Sequence, residues 1–351
     1  MPIPLTVSSS QFAVGSAQGI DPVLTYLRIA LPALFLLSVG ITTFLVWRRW
    51  EKARRPRLWA LGATAAFCLL DWGLITALRY LELSFGPEAA ALTYLWGVRI
   101  ALLLPFLIPP IRRRKSPRPE RSLIGYWAFQ LILLAGMVDA FYVEPFALGT
   151  TYLTLPAPGL TRPLRIVQIS DPHVEYTSPR ERALGPLVEA LDPDIIALTG
   201  DYLNLANLSD PRSVHDTRTL LAQLHAPYGV YAIAGNVDYP AELMQALFEG
   251  LDIVVLHDQV VHLPAEQGGL SIVGVTNWEG GRDEAAILRQ TMAQTPPEAY
   301  TLLLYHKPDL IEVAAETGVD LYLAGHTHGG QVRLPFYGAP VSYTHLRAHE
   351  T

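Results

Sequence analysis

Four apolar runs occupy the first 145 residues and limit what this part of the chain can become. They are Leu24–Trp47, Leu58–Leu78, Ala91–Ile111 and Leu123–Val143. A helix that crosses the hydrocarbon layer of a bilayer needs about 20 apolar residues, and each run is of that length. None carries the polar stripe with which a water-facing helix meets solvent. Residues 1–145 are therefore expected to form a four-helix transmembrane anchor. Residues 1–23 are small and polar without a basic start, which is not the pattern of a cleavable signal peptide.

The loops between these runs are charged unequally. Arg48, Arg49, Lys52, Arg54, Arg55 and Arg57 separate the first two runs. Arg112, Arg113, Arg114, Lys115, Arg118 and Arg121 separate the last two, whereas the middle loop holds Glu82 and Glu88. Basic loops stay in the cytoplasm. The N-terminus and everything after Val143 are then expected outside it. Asp71, Arg99 and Asp139 lie within the runs, and the cost of an unpaired charge in lipid predicts that they pair inside the bundle. The net charge of -6 argues against nucleic-acid binding, which calls for a basic face. The single cysteine, Cys68, can form no internal disulfide.

Residues 146–163 are rich in Pro, Gly and Thr and read as an extended linker. The pattern then changes. Strands are expected over 164–170, 194–199, 229–234, 253–256, 270–275, 300–305 and 321–324. Helices are expected over 180–191, 214–224, 241–251, 284–294 and 309–316. Such alternation predicts an α/β domain.

Polar groups collect where those strands end. The first delivers Asp171-Pro172-His173, the second Gly200-Asp201 and the third Gly235-Asn236-Val237-Asp238. The strand over 300–305 delivers His306, and the last delivers His326 and His328 within Gly325-His326-Thr327-His328-Gly329-Gly330-Gln331. In open α/β sheets ligands bind beyond the carboxyl ends of the strands. A buried polar group must be paired, and a metal is one partner that all of these groups could share. Neighbouring imidazoles are good ligands for first-row metals.

The order Asp-x-His, Gly-Asp, Gly-Asn-x-Asp, His, Gly-His-x-His resembles that of the calcineurin-like metallophosphoesterases. It covers roughly residues 164–340. With the transmembrane region, it resembles the membrane-tethered bacterial branch, which includes enzymes similar to UDP-diacylglucosamine pyrophosphate hydrolases. The resemblance implies a two-sheet β-sandwich flanked by helices and two divalent metal ions (Mn, Fe or Zn). One ion would be held by Asp171, His173, Asp201 and His328. The other would be held by Asp201, Asn236, His306 and His326, with Asp201 bridging. Asp201, Asn236 and His326 would also take part in the reaction. That reaction would be hydrolysis of a phosphomonoester or phosphodiester by a bridging hydroxide. It would occur at the outer face of a bacterial cell membrane. The tether makes a lipid-linked phosphate ester a candidate substrate. Many members of the family have His after the Asn of the third motif, where this chain has Val237, so the usual general acid is missing. The competing expectation is a membrane sensor or binding protein with a degenerate, metal-stabilised domain of this kind.

Residues 341–351, Val-Ser-Tyr-Thr-His-Leu-Arg-Ala-His-Glu-Thr, do not continue the pattern. Back-translated in one frame they match a transposase-based sequencing adapter. They are expected to be foreign to the protein, which would leave the domain truncated after Pro340, and His345 and His349 are not counted as ligands.

Overall fold

A computed structural model describes residues 3–8, 56–83, 88–107, 119–277 and 282–328. The chain divides into two compact units. Residues 17–146 form one; residues 1–16 and 147–351 form the other.

The first unit contains helices α1 (Pro56–Tyr80), α2 (Glu88–Leu107) and α3 (Pro119–Val138), the last running into a π-helical turn over Asp139–Val143. Two stretches, Leu58–Leu78 and Ile124–Phe146, are long and apolar enough to cross a membrane, and Ala91–Leu104 of α2 is a shorter apolar helix. The expected helix over 24–47 lies outside the described residues. Of the four expected crossings, two thus meet the length criterion among the described residues. Outward-pointing Leu69, Trp72, Ile100, Ile124 and Ile132 give this unit an apolar surface.

Inside it, Arg99 and Asp71 are fully buried and joined twice: Nε donates to Oδ2 at 2.6 Å and Nη2 to Oδ1 at 2.8 Å. Arg99 Nη1 donates to the side-chain and main-chain oxygens of buried Gln130. The guanidinium fork matches a carboxylate edge, so both charges are satisfied in one plane. Asp139 does not join them. It is exposed at the start of the π-helical turn. The expectation that all three charges pair is corrected: Gln130, a neutral residue, takes the place given to the second acid.

The second unit is a four-layer α/β sandwich. Its first sheet runs β2 (Thr151–Leu155), β1 (Ile3–Ser8), β3 (Ile166–Ile169), β4 (Ile195–Leu198), β5 (Val230–Ala232), β6 (Val254–Val255). All neighbours are parallel except β1 and β2. The second sheet runs β10 (Leu321–Leu323), β9 (Tyr300–Leu304), β8 (Leu270–Gly274), β7 (Gln259–His262), with only β7 antiparallel. Ile166, Ile195 and Ile233 meet Ile272, Leu302 and Leu323 between the sheets. Helices α4 (Pro179–Ala190), α5 (Pro211–Leu221) and α6 (Ala241–Phe248) cover the outer face of the first sheet. Helices α7 (Glu284–Met292) and α8 (Ile311–Thr317) cover the second.

Local sequence explains these elements. The central strands are buried on both faces and read Ile-Val-Gln-Ile, Ile-Ile-Ala-Leu and Tyr-Thr-Leu-Leu-Leu, without alternation. Ser178 and Glu181 close a capping box at α4, with Pro179 at its first position. Asp210 and Asp283 cap α5 and α7. The strands β1, β2 and β7 were not expected from sequence; β2 falls within the segment 146–163.

Gln168 is the one polar side chain of β3 and is buried. Its amide donates to Thr199 Oγ1 at 3.0 Å and to the Ala324 carbonyl at 2.9 Å. It ties the ends of β3, β4 and β10 together where the site begins.

Candidate metal centre

Parallel pairing brings the carboxyl ends of these strands to one end of the sandwich. Ile169, Leu198 and Ala232 are linked in register across β3, β4 and β5, and Leu304 pairs Leu323 across β9 and β10. Every sequence-predicted ligand stands two to five residues beyond one of these positions.

The backbone at the strand ends bends sharply. Asp171, His173, Asp201, His326 and His328 have φ of 51°, 42°, 58°, 68° and 46°. Left-handed backbone is uncommon outside glycine, and Asp and His are among the residues that tolerate it best. The strain aims five side chains inward. Close approach matters as well. At Gly200, φ is 96° and a Cβ would lie 2.5 Å from the Gly235 nitrogen. At Gly325 a Cβ would collide with the side chains of Ser170 and Asp171. These two glycines let the ligand-bearing segments touch.

The donors form two overlapping groups. Asp171, His173, Asp201 and His328 place one donor atom each within 4.8 Å of one another; Asp201, His306 and His326 do the same. His328 Nε2 is 3.1 Å from Asp171 Oδ1 and 3.2 Å from His173 Nε2. His306 Nε2 is 3.2 Å from Asp201 Oδ2 and 3.0 Å from Asn236 Oδ1. Asp201 Oδ2 is also 3.7 Å from His173 Nε2, so it stands between the groups. All seven residues singled out in the sequence therefore converge.

Their outer partners fix which atoms face inward. His306 Nδ1 bonds the Thr199 carbonyl at 2.7 Å and His173 Nδ1 approaches the Leu203 carbonyl at 3.4 Å. With Nδ1–H committed to a carbonyl, Nε2 keeps its lone pair for a cation. The Val237 N–H donates to Asp201 Oδ1 at 3.0 Å, leaving Oδ2 for the centre. The His326 N–H donates to the Asp171 carboxylate at 3.0 Å.

The electrostatics are those of a cation site. Burial pushes the Asp171 carboxyl up, but His328, His306 and Ser170 outweigh it and hold it down at about 2. Asp201 is likewise held low against burial, by His306 and the Val237 N–H. Burial lowers His173, and burial with His306 lowers His326. His306 moves the other way: burial lowers it, yet its bond to Asp201 raises it above the ordinary imidazole value. Carboxylates held low beside imidazoles of which burial lowers two, with inner nitrogens crowded together, fit a divalent cation.

The third motif also contains Asp238. It is fully buried, and the N–H groups of Asp201, Tyr202 and Gly235 donate to it at 2.6, 2.9 and 2.7 Å. It holds the second and third strand ends together by their backbones. Burial and Asp201 push its carboxyl up to about 7. Val237 is buried and offers no proton.

Comparisons with known proteins agree with this geometry. A profile of the calcineurin-like phosphoesterase family matches residues 164–330. The chain is 29% identical over 208 residues to the uncharacterized metallophosphoesterase YkuE of Bacillus subtilis, covering 57% of this chain and 71% of that one. It is 25% identical over 254 residues to the UDP-2,3-diacylglucosamine pyrophosphatase LpxG of Chlamydia trachomatis, covering 57% and 74%. It is 27% identical over 230 residues to a transmembrane protein with metallophosphoesterase domain from Bos taurus, covering 60% and 50%. With the motif order, the sandwich and the converging donors, these matches make residues 164–330 a calcineurin-like metallophosphoesterase domain, and the chain a hydrolase of phosphate esters.

Proposed function

We propose that this hydrolase binds two divalent ions and cleaves a phosphomonoester or phosphodiester at the outer face of a cell membrane. The observation that carries the reading is the position of Asp201, whose Oδ2 lies between His173 and His306 and so belongs to both donor groups. One ion is assigned to Asp171, His173, Asp201 and His328, the other to Asp201, Asn236, His306 and His326. Mixed imidazole and carboxylate donors suit Mn, Fe or Zn. A bound pair supplies Lewis acidity at the phosphoryl oxygens and an activated water.

The chain's own residues do the rest. The carbonyls of Thr199 and Leu203 orient His306 and His173. The Val237 N–H fixes the rotation of the Asp201 carboxylate. Asp238 sets the spacing between Asp201 and Asn236 by bonding both segments. Such preorganisation means that little reorganisation is needed as charge develops on phosphorus.

The apolar unit is read as a four-crossing anchor. Its buried Arg99–Asp71 pair and apolar exterior support a lipid setting. Strand β1 lies in the same sheet as β3. This pairing supports an anchor with an even number of crossings, so that the chain leaves and re-enters the sandwich on one side of the membrane. The basic loops put that side outside the cytoplasm. One of the relatives, LpxG, is named for a lipid-linked substrate, and a lipid-linked phosphate ester is proposed for this chain too. The orientation is tested by a C-terminal alkaline phosphatase fusion, which is active only when exported. An inactive phosphatase fusion with a fluorescent cytoplasmic-protein fusion would overturn it.

A further inference from the structure

The segment Asp171-Pro172-His173 supplies two donors to one group and none to the other. It runs beside the segment that follows β4. The N–H groups of Asp171, His173 and Val174 donate to the carbonyls of Gly200, Asp201 and Tyr202 at 3.0, 3.1 and 2.8 Å, and the Asn204 N–H donates to the Val174 carbonyl at 3.1 Å. The parallel pairing of β3 with β4 thus continues past the strand ends and through the ligands. Pro172 has no N–H to give. Its carbonyl accepts from Arg180 Nη2, in the first turn of α4, at 2.7 Å.

This bond has a particular place in the ligand geometry. The peptide group joining Pro172 to His173 is held at both ends, its carbonyl by Arg180 and its N–H by the Asp201 carbonyl. The angle φ of His173 is measured from that peptide plane, and it is 42°, in the left-handed region. Backbone of this kind persists only where the surroundings over-determine it. Arg180 is itself held. Buried Glu181 accepts through Oε1 from Arg180 Nε at 2.6 Å, with Nη2 2.5 Å away, and through Oε2 from the Ser178 N–H at 2.8 Å. A bare guanidinium would repel a cation bound nearby. Paired with Glu181, it keeps its directional bond to Pro172 and contributes little net charge.

We propose that Arg180 is a positioning residue for one of the two ions, the one assigned to Asp171, His173, Asp201 and His328. It fixes the peptide plane from which the His173 imidazole is aimed, and Glu181 fixes Arg180. The inference rests on the two-ion reading above and divides the site: the ion assigned to Asp201, Asn236, His306 and His326 does not depend on this bracket.

The test is Mn²⁺ binding to the full-length protein in detergent, followed by equilibrium dialysis. Groups that orient metal ligands are worth about 10–100-fold in affinity. His326→Ala keeps every donor assigned to the first ion, and His328→Ala keeps every donor assigned to the second. Adding Arg180→Met should weaken the remaining ion about 10–100-fold in the His326→Ala protein and leave it unchanged in the His328→Ala protein. Arg180→Lys, which can still donate to the Pro172 carbonyl, should recover part of the loss. Arg182→Met is the control, because exposed Arg182 donates to the Thr177 carbonyl of the same loop at 2.9 Å, away from the ligands. It should bind Mn²⁺ as its parent does. Equal weakening in both backgrounds, no weakening in either, or the same weakening by Arg182→Met would overturn the inference and leave the phosphoesterase reading intact. Wild-type protein that binds fewer than two ions at saturating Mn²⁺ would instead overturn the two-ion reading, and this inference with it.

Discussion

The Nε2 atoms of His173 and His328 point at each other across 3.2 Å, from strand ends 155 residues apart in sequence. Two imidazole nitrogens that close must share a proton or a cation. Asp171 Oδ1, 3.1 Å from His328 Nε2, adds a full negative charge to the same place. A divalent ion satisfies all three groups at once. His328→Ala and Asp201→Ala are therefore expected to cut turnover by about 10²–10³-fold or more, the scale on which preorganised electrostatic stabilisation acts. The domain should stay folded by circular dichroism. Near-wild-type turnover of either variant at saturating metal would contradict the assignment.

The left-handed backbone of the ligands predicts a conflict between stability and function. His328 has φ of 46°. An L side chain there costs roughly 1–2 kcal/mol that glycine avoids. In EDTA, His328→Gly should be more stable than His328→Ala by about 1 kcal/mol, although both lack the ligand. Equal denaturant midpoints, or the reverse order that glycine's greater chain entropy would produce, would show that the backbone is not strained at this position.

The ligands could be read from sequence because Asp, Asn and His are rare at the ends of apolar strands, and five such ends coincided. Their fine placement could not. Thr199 and Leu203 act through main-chain carbonyls, which every residue possesses. Asp238 acts on three backbone N–H groups that no side-chain pattern reveals. Strands β1 and β2 were missed because Pro, Thr and Ser in short segments look like linker, and their pairing depends on residues some 150 positions apart. Asp139 looked equivalent to Asp71 by composition and depth, but the π-helical turn after Val138 carries it to the surface.

Asp238 carries a pH dependence whose sign is fixed. Its folded carboxyl, at about 7, lies above the usual unfolded value. The folded state therefore binds the proton more tightly than the unfolded chain between about pH 4 and 7. Its contribution to stability is full below about pH 4 and is lost as pH rises through about 7. In EDTA, the wild type should lose more stability between pH 5 and 7.5 than Asp238→Asn does. Urea midpoints at the two pH values measure the difference. The same loss in both proteins would contradict the assignment.

The buried pair in the apolar unit makes a different prediction. Arg99→Leu leaves the Asp71 carboxylate without its only charged partner among the described residues. Breaking one side of a buried pair costs about 3–5 kcal/mol. Replacing both, as in Arg99→Leu with Asp71→Leu, should recover most of that loss, since apolar replacements of buried pairs are often neutral. Thermal unfolding of the detergent-solubilised protein distinguishes the cases. A double variant as unstable as Arg99→Leu would mean that the pair contributes specific structure beyond mutual neutralisation.

The most direct test of the account is the metal content of the purified full-length protein, measured by mass spectrometry alongside hydrolysis of bis(4-nitrophenyl) phosphate. Two divalent ions per chain are predicted. Removing them with EDTA should abolish hydrolysis, and Mn²⁺ should restore it. Hydrolysis that survives complete removal of metal, or full activity with a single ion per chain, would contradict the two-ion centre built around Asp201.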